Sequence, residues 1–396
     1  MIKERFIKIK NLLLQENAVA IAFFTITLLA TFAQLLKPTH AGEYTRYNNY
    51  VIFQQSFFHF IHHQDLYQLY PAEHWDYYKY SPTFALLMAP LALLPTRLGF
   101  ILWNMLNAIV LFFSIRALPI AKLNQSKILW FIIPEMVISL QNSQSNALIA
   151  GLLIFTFAFL EKGKFAFAAL CVALSFYIKI FGILAVILFL FYTKWWQHIF
   201  KIVIIFLLLA GIPLLVINWQ QFVFLYKSWL HLLAMDESAS IGYSVRGWLF
   251  SWIGVDIPNI ILVVTGMVLL LFPLVKKSLF SQFQFRLFYL SAIMIWIIIF
   301  NHKAESPTFI IAVAGFALFY FNNEKLHINE ILFWAVLIFT QLAHSDLFPP
   351  TVKEHFMMPY VIKAVPCIAA WAIILFRLMQ MPDNKEIGNA MQVHSK

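Results

Sequence analysis

Acidic and aromatic side chains are concentrated between residues 43 and 80. The segment carries four acids: Glu43, Asp65, Glu73 and Asp76. It follows directly on an apolar run, residues 18–36, that is long enough to cross a bilayer as a helix, so we expect it at a membrane surface. Acids are costly to keep beside a membrane, and a cluster of them there commonly marks a functional site.

Two further polar features lie close to apolar runs. Residues 141–146 read QNSQSN, and the amides of Gln141, Gln144 and Asn146 could hold sugar hydroxyls or cap the ends of two helices. Lys179 is a lone cation between two apolar runs. It could meet an anionic lipid phosphate, or it could simply extend its ammonium group to the membrane surface.

Two polar loops later in the chain offer charged side chains. Arg246 lies in the loop that contains residues 235–248, and its planar guanidinium suits a phosphate or a carboxylate. The segment NHKAESP, residues 301–307, contributes His302, Lys303 and Glu305. Either loop could instead be ordinary solvated surface. No zinc spacing, phosphate-binding loop or nucleotide fingerprint is present, so we expect no metal and no cofactor.

The composition identifies the class of protein that holds these residues. Of 396 residues, 62% are hydrophobic and 12% are charged, whereas water-soluble domains are about 25% charged. The sequence therefore predicts an all-α polytopic membrane protein. About twelve apolar runs are candidate transmembrane helices: residues 18–36, 98–117, 128–141, 145–160, 165–178, 180–193, 202–218, 259–275, 285–300, 307–321, 329–344 and 358–378.

The distribution of basic residues predicts the topology. Most lysines and arginines fall in segments on one side, which the positive-inside rule assigns to the cytoplasm, so the net charge of +10 does not indicate a nucleic-acid partner. We predict a cytoplasmic segment 1–17, one membrane domain 18–378 with large outer loops at 37–80 and 219–258, and a cytoplasmic tail 379–396. Residues 81–94 contain Pro90 and are interpreted as interfacial or re-entrant. If they crossed the membrane, every later segment would change sides.

Several motifs occur in an order that resembles glycosyltransferase family 87, one of the GT-C membrane glycosyltransferases. They are an acid and tyrosines after the first helix, DLYQLYP at 65–71, KYSPTFALLMAPLALLP at 79–95, Trp103 with Asn104, QNSQSN and Lys179. The resemblance covers residues 43–182 well and the rest by pattern, including SVRGW at 244–248 and NHKAESPTF at 301–309.

The resemblance implies a GT-C-like helical bundle in a bacterial-type plasma membrane. It implies transfer of a hexose, typically mannose, from a polyprenyl-phosphate donor to a lipid or glycan acceptor on the outer face, by inverting direct displacement. Glu43 is the first candidate for the base. The aspartate expected in the family falls near Asn48 or Asn49, and an amide cannot act as a base. Either Glu43 replaces it, or Asp65 or Glu305 serves, or the chain is catalytically impaired.

The resemblance also implies roles for the other polar residues. Lys179 is expected to contact the donor phosphate, and Arg246, His302 and Lys303 are candidates for the same task. A protein cation can neutralise a single phosphate without a metal. The acceptor and sugar are expected to contact the amides and one phenol: Asn48, Asn49, Tyr80, Gln141, Gln144 and Asn146.

Two other classes of function stay open. A transporter or flippase for polyprenyl-linked intermediates would carry ionisable groups along its spans and internal inverted repeats, whereas here polarity is concentrated in outer loops. A non-catalytic partner in envelope polysaccharide assembly is compatible with asparagine at positions 48 and 49.

Overall fold

The computed structural model describes residues 12–40, 43–235, 241–343 and 348–382. Across these residues the chain is helical and contains no β-strand, with a helical share of 75%. The predicted all-α class is therefore confirmed for the described ranges. Most of the predicted cytoplasmic segments, residues 1–11 and 383–396, lie outside the described residues.

Seventeen α-helices are named in chain order across the described ranges. They are α1 Glu16–Leu36, α2 Asn48–Ile61, α3 Pro82–Leu87, α4 Ala89–Ala92, α5 Thr96–Ala117, α6 Lys122–Gln141, α7 Asn146–Glu161, α8 Phe165–Ile178, α9 Trp195–Gly211, α10 Trp219–Met235, α11 Val245–Ile253, α12 Asn259–Leu271, α13 Phe283–Ile299, α14 Phe309–Phe321, α15 His327–Ala335, α16 Pro350–Val352 and α17 Val365–Gln380. Tighter 3₁₀ turns cover Ile180–Phe191, Ile212–Leu215, Phe272–Val275, Lys277–Leu279 and Ser306–Thr308, and wider π-helical turns cover Val336–Gln341 and Lys353–Met357.

Each of the twelve apolar runs identified from the sequence contains a helical segment. By length and composition, three helical segments among the described residues could cross a membrane alone: Glu16–Leu36, Thr96–Ala117 and Trp195–Leu215. Seven shorter helical segments are also apolar. The chain is thus a membrane protein by its helices, and the number of about twelve crossings stays a prediction.

The chain divides into two compact units, residues 1–183 with 196–239 and residues 184–195 with 240–396. In the first unit, α5 packs closely on α7, and α1 packs on α5 and α6. Gly151 of α7 permits the close approach, because a Cβ there would lie 2.8 Å from the backbone of Val110 and Leu111. This packing holds the two ends of the 141–146 segment.

The first outer loop of the sequence prediction contains a packed helix, α2. Tyr50 donates a hydrogen bond to the carbonyl of Leu91 (3.0 Å), and Gln54 donates one to the carbonyl of Ala92 (3.0 Å). Helices α3 and α4 have six and four residues, far fewer than the roughly 20 needed to cross a bilayer. Residues 81–94 therefore do not cross the membrane as one helix, and they pack against α2 within the first unit.

In the second unit, α13 packs against α14 and α17. Nearly every side chain of α13 and α14 is buried, as expected for helices that are apolar on all faces. The segment 301–308 lies between α13 and α14 and carries three of the candidate polar residues, His302, Lys303 and Glu305. Pro307 stands at the start of the 3₁₀ turn Ser306–Thr308, where a missing N–H is tolerated.

Candidate functional site

The QNSQSN segment forms the turn between α6 and α7. Gln141 is the last, half-buried residue of α6, and Asn146 is the first, fully buried residue of α7. Between them, Ser143 adopts a left-handed backbone with φ of +57°, which disfavours a non-glycine residue by about 1–2 kcal/mol. The indole of Trp103 donates a hydrogen bond to the carbonyl of Ser143 (2.9 Å) and holds this conformation. Such strained residues are commonly found at functional sites.

Lys179 is fixed against this turn by an amide relay. Its Nζ donates a hydrogen bond to Asn146 Oδ1 (2.6 Å), and Asn146 Nδ2 donates one to Gln144 Oε1. Lys179 caps α8 in an extended conformation (φ −140°, ψ 119°), so its positive charge lies at the negative end of the helix dipole. The side chain is half-buried. The structure thus brings Lys179, Asn146 and Gln144 together in one hydrogen-bonded chain.

One of the two asparagines at the start of α2 contacts the same turn. Asn49 Nδ2 donates a hydrogen bond to the carbonyl of Asn142 (2.8 Å). Asn48 is buried, and neither its Nδ2 nor its Oδ1 has a hydrogen-bond partner within the described ranges. The hydroxyl groups of Ser143 and Ser145 are also buried without a hydrogen-bond partner in the described ranges. We call residues 48–49, 142–146 and Lys179 the amide cluster.

The polar atoms without partners indicate the kind of chemical group that would fit the amide cluster. A buried polar group without a partner costs about 1–3 kcal/mol, and native proteins rarely retain one without a reason. Asn48 offers both donor and acceptor atoms, and a serine hydroxyl can act either way. These groups match the hydroxyls of a sugar, and Lys179 supplies a cation beside them.

Tyr80 also belongs to the first unit, where its ring and its backbone are both held by contacts. Its ring lies edge-on to Phe53 of α2 with centroids 4.9 Å apart, and its carbonyl accepts a hydrogen bond from the phenol of Tyr67 (3.0 Å). The next residue, Ser81, donates a hydrogen bond to the carbonyl of Tyr177 (2.6 Å). Because Tyr177 is in the last turn of α8, this bond fixes Tyr80 near the end of the helix that Lys179 caps.

The candidate acids in the first unit differ in environment. Glu43 is exposed, and its Oε2 accepts hydrogen bonds from Arg46 (3.2 Å) and from the N–H of His40 (3.3 Å). It lies in the turn that leads into α2. The Oδ1 of Asp65 accepts a hydrogen bond from the N–H of Tyr67 (3.1 Å), which is the bonding of a turn residue.

Sequence reasoning missed a cluster of histidines that holds the first loop. His59 Nε2 lies 2.9 Å from Glu73 Oε2, and the ring of His59 stacks on Tyr70 with centroids 3.8 Å apart. His74 is buried nearby, with centroids 6.4 Å from His59. Burial lowers the pKa of His59, although Glu73 opposes the shift, and burial also lowers the pKa of His74. The paired residues are too far apart in sequence for any spacing to reveal them.

In the second unit, Arg246 forms a two-point ion pair. Its Nε and a terminal nitrogen lie 2.8 and 3.1 Å from the two carboxylate oxygens of Asp256. The bond from Arg246 lowers the pKa of Asp256. Arg246 was expected in a loop but lies in the first turn of α11, because Ser244 caps that helix. Its guanidinium fork, which the sequence offered for a phosphate, is bonded to a carboxylate that follows the end of the same helix.

The other three charged candidates of the second unit lie on one segment, 301–306. The N–H of Tyr243 donates a hydrogen bond to the carbonyl of Ala304 (2.9 Å), and a Cβ on Gly242 would clash with the carbonyl of His302. His302 and Lys303 are half-buried, and Glu305 is exposed. Backbone packing therefore places the segment that carries His302, Lys303 and Glu305 against residues 242–243, which directly precede α11.

A buried lysine, Lys363, was also missed. Its Nζ lies 2.9 Å from the Oγ of Ser306. The signal was available, because a lysine inside the apolar run 358–378 is itself unusual. Over the described part of the chain, no three histidine, cysteine or acidic residues are grouped as metal ligands.

Comparison with known proteins gives one family. The sequence model of glycosyltransferase family 87 matches residues 78–319, which is more than half of the chain. The match includes Tyr80, the QNSQSN segment, Lys179 and the 301–306 segment. A search of curated proteins finds no match.

Proposed function

This chain belongs to glycosyltransferase family 87, and we propose that it transfers a hexose, mannose in the first instance, from a polyprenyl-phosphate donor. The family makes the protein a GT-C type membrane glycosyltransferase, with a sugar donor and an acceptor as its partners. The proposed acceptor is a lipid or a glycan on the extracytoplasmic face of a bacterial-type plasma membrane. The observation that carries the proposal is the amide cluster. It combines the cation of Lys179, bonded to Asn146, with polar groups of Asn48, Ser143 and Ser145 that have no hydrogen-bond partner among the described residues.

Lys179 is the proposed contact for the donor phosphate. When the bond between the sugar and the phosphate breaks, the phosphate gains negative charge, and a cation already in place stabilises that charge without rearrangement. The bond from Lys179 to Asn146 (2.6 Å) provides this placement. In the second unit, the proposed phosphate-binding residues are Arg246, His302 and Lys303. To bind a phosphate, Arg246 would first have to break its ion pair with Asp256.

The proposed acceptor and sugar contacts are polar groups around the turn at 141–146. Asn48 and Asn49 stand at the start of α2, and Gln141, Gln144 and Asn146 flank or belong to the turn. Tyr80 offers an aromatic face, which suits the apolar face of a sugar ring. Because amides both donate and accept hydrogen bonds, this set can bind several hydroxyl groups in a fixed orientation.

Glu43 is the proposed base. It would take the proton from the acceptor hydroxyl while that oxygen attacks the anomeric carbon from the face opposite the phosphate. The carbon–oxygen bond to the phosphate breaks in the same step, and polyprenyl phosphate leaves with the electron pair. This displacement inverts the anomeric configuration. Glu43 is exposed and close in sequence to Asn48, which supports it over Asp65, whose carboxylate bonds the Tyr67 N–H.

The nature of the donor is tested with the purified protein in lipid nanodiscs. Radiolabelled polyprenyl-phosphate mannose and radiolabelled GDP-mannose are each incubated with the protein and a membrane lipid extract. The proposal expects a labelled product from the polyprenyl donor and none from the nucleotide donor. Transfer from GDP-mannose alone would contradict it. Polyprenyl-phosphate glucose, tested in parallel, examines the choice of mannose.

A further inference from the structure

Three buried side chains of α5 bond to the backbone around the turn at 141–146. The indole of Trp103 donates a hydrogen bond to the carbonyl of Ser143 (2.9 Å), and Asn107 Oδ1 accepts one from the N–H of Leu148 (2.9 Å). Asn104 Nδ2 donates one to a carbonyl in the last turn of α6 (3.2 Å). Because residues three and four apart lie on one face of a helix, positions 103, 104 and 107 reach the turn together.

Asn107 replaces the usual cap at the start of α7. A serine at the N-cap position commonly accepts a hydrogen bond from the N–H of the second or third helical residue. Ser145 occupies the N-cap position of α7, but within the described ranges its side chain makes no capping bond. The third helical residue, Leu148, donates to Asn107 instead. The start of α7 is therefore fixed by α5.

Trp103 holds the other side of the turn in a conformation that serine disfavours. Ser143 has a φ of +57°, which glycine adopts freely and other residues rarely adopt. The indole is itself fixed, because its ring packs against Phe53 and Phe84 with centroids 5.3 and 6.1 Å away. The bond to the Ser143 carbonyl therefore comes from a donor that is already in place.

Asn146 lies between these two fixed points. It follows Ser143 by three residues and precedes Leu148 by two, and its Oδ1 accepts the hydrogen bond from Lys179 Nζ (2.6 Å). With both sides bonded to α5, the backbone position of Asn146 depends on that helix. Small displacements of groups that orient a substrate can cost large factors in rate, so the contacts from α5 bear on the amide cluster.

We propose that Trp103 is a positioning residue for the transfer reaction. It acts through the backbone of Ser143 on Asn146 and, through Asn146, on Lys179. The inference rests on the proposed function, because it gives the geometry of the turn a part in sugar transfer. A role limited to packing is distinguishable, since the loss on removing the indole N–H would then not depend on which residue occupies position 143.

The test is a double-mutant cycle on the full-length protein in lipid nanodiscs. Trp103→Phe keeps an aromatic ring and removes the indole N–H. It is made both in the wild-type background and together with Ser143→Gly, because glycine needs no support for a left-handed conformation. The measurements are kcat/KM for transfer from a polyprenyl-phosphate hexose and the melting temperature, which shows that each variant is folded.

Trp130→Phe is the matched control. The indole of Trp130 also donates a 2.9 Å hydrogen bond to a backbone carbonyl, that of Leu13, in the same unit. Trp130 lies about 16 Å along α6 from the turn, at about 1.5 Å per residue. The control therefore removes the same kind of bond at a distance from the amide cluster.

We expect Trp103→Phe to lower kcat/KM about tenfold in the wild-type background and less than threefold in the Ser143→Gly background, with Trp130→Phe within twofold of wild type. An equal loss in both backgrounds would overturn the positioning role. An active wild type with an unaffected Trp103→Phe would refute this inference alone. A wild type that transferred hexose from no polyprenyl-phosphate donor would refute the proposed function and this inference together.

Discussion

Replacing Lys179 by methionine tests whether the positive charge of the amide cluster is needed for transfer. Methionine is similar in length and lacks the ammonium group, so the substitution removes the cation and its hydrogen bond to Asn146 (2.6 Å). The half-buried position at the end of α8 leaves room for an unbranched side chain. The change is therefore chemical rather than steric.

The expected loss follows from the role of the cation. Removing one preorganised group that stabilises transition-state charge lowers kcat about 10²–10³-fold, or about 2.7–4 kcal/mol. Stability should change much less. The lost charged hydrogen bond contributes about 1.5–3 kcal/mol, but the partly buried ammonium group no longer has to be desolvated, which offsets part of that loss.

The assay measures the initial rate of transfer from a labelled polyprenyl-phosphate hexose, together with the melting temperature. Lys179→Arg keeps the charge and should recover at least tenfold of the activity lost in Lys179→Met. Lys201→Met is the matched control, because Lys201 is an exposed lysine in the same unit. If Lys179→Met kept a rate within threefold of wild type, or if Lys201→Met lost as much, the phosphate role of Lys179 would be refuted.

Three further predictions concern stability and the loops. Asn48→Leu should raise stability by about 1–3 kcal/mol, because it removes a buried amide that has no hydrogen-bond partner in the described ranges. It should also lower transfer activity, and thermal melting and initial rates measure the two effects. Burial lowers the pKa of His59 and His74, so the folded state favours their neutral forms. Stability should therefore fall as the pH drops below their unfolded pKa of about 6.5, and melting temperatures at pH 7.5 and 5.5 should differ less in a His59→Gln/His74→Gln variant. A larger pH difference in that variant would contradict the assignment. Asp256→Asn should shift the stability by less than about 1 kcal/mol, since its ion pair with Arg246 is partly exposed; a large fall in melting temperature would show that the pair has a structural role.

The helices inside apolar runs were predictable because such runs are visible in a sequence, whereas α10 and α11 lie in the segment 219–258 that was predicted as an outer loop. Every one of the twelve runs contains a helical segment, and the order of the motifs pointed to the family that the comparison shows. Helix α2 was not predicted. Its sequence mixes glutamines and histidine with aromatic residues, and the acids on either side made the whole segment resemble an aqueous loop.

The contacts of the candidate site could be named only in part. The sequence selected both Lys179 and Asn146, but only the fold shows that they are bonded, because α7 and α8 separate them. The pairing of His59 with Glu73 and that of Arg246 with Asp256 also depend on how loops close. Lys363 could be noticed as a single cation in an apolar run, but such a run gives no indication of its contact with Ser306.

The most direct test of the account compares transfer by the wild type with transfer by Glu43→Gln. The substrate is a radiolabelled polyprenyl-phosphate hexose that the wild type uses, and Glu324→Gln, at an exposed acid of the second unit, is the control. If Glu43 is the base, Glu43→Gln should lower the rate 10²–10⁴-fold at an unchanged melting temperature, because its ion pair with Arg46 is exposed. A wild-type rate in Glu43→Gln would contradict the proposed catalytic role of Glu43.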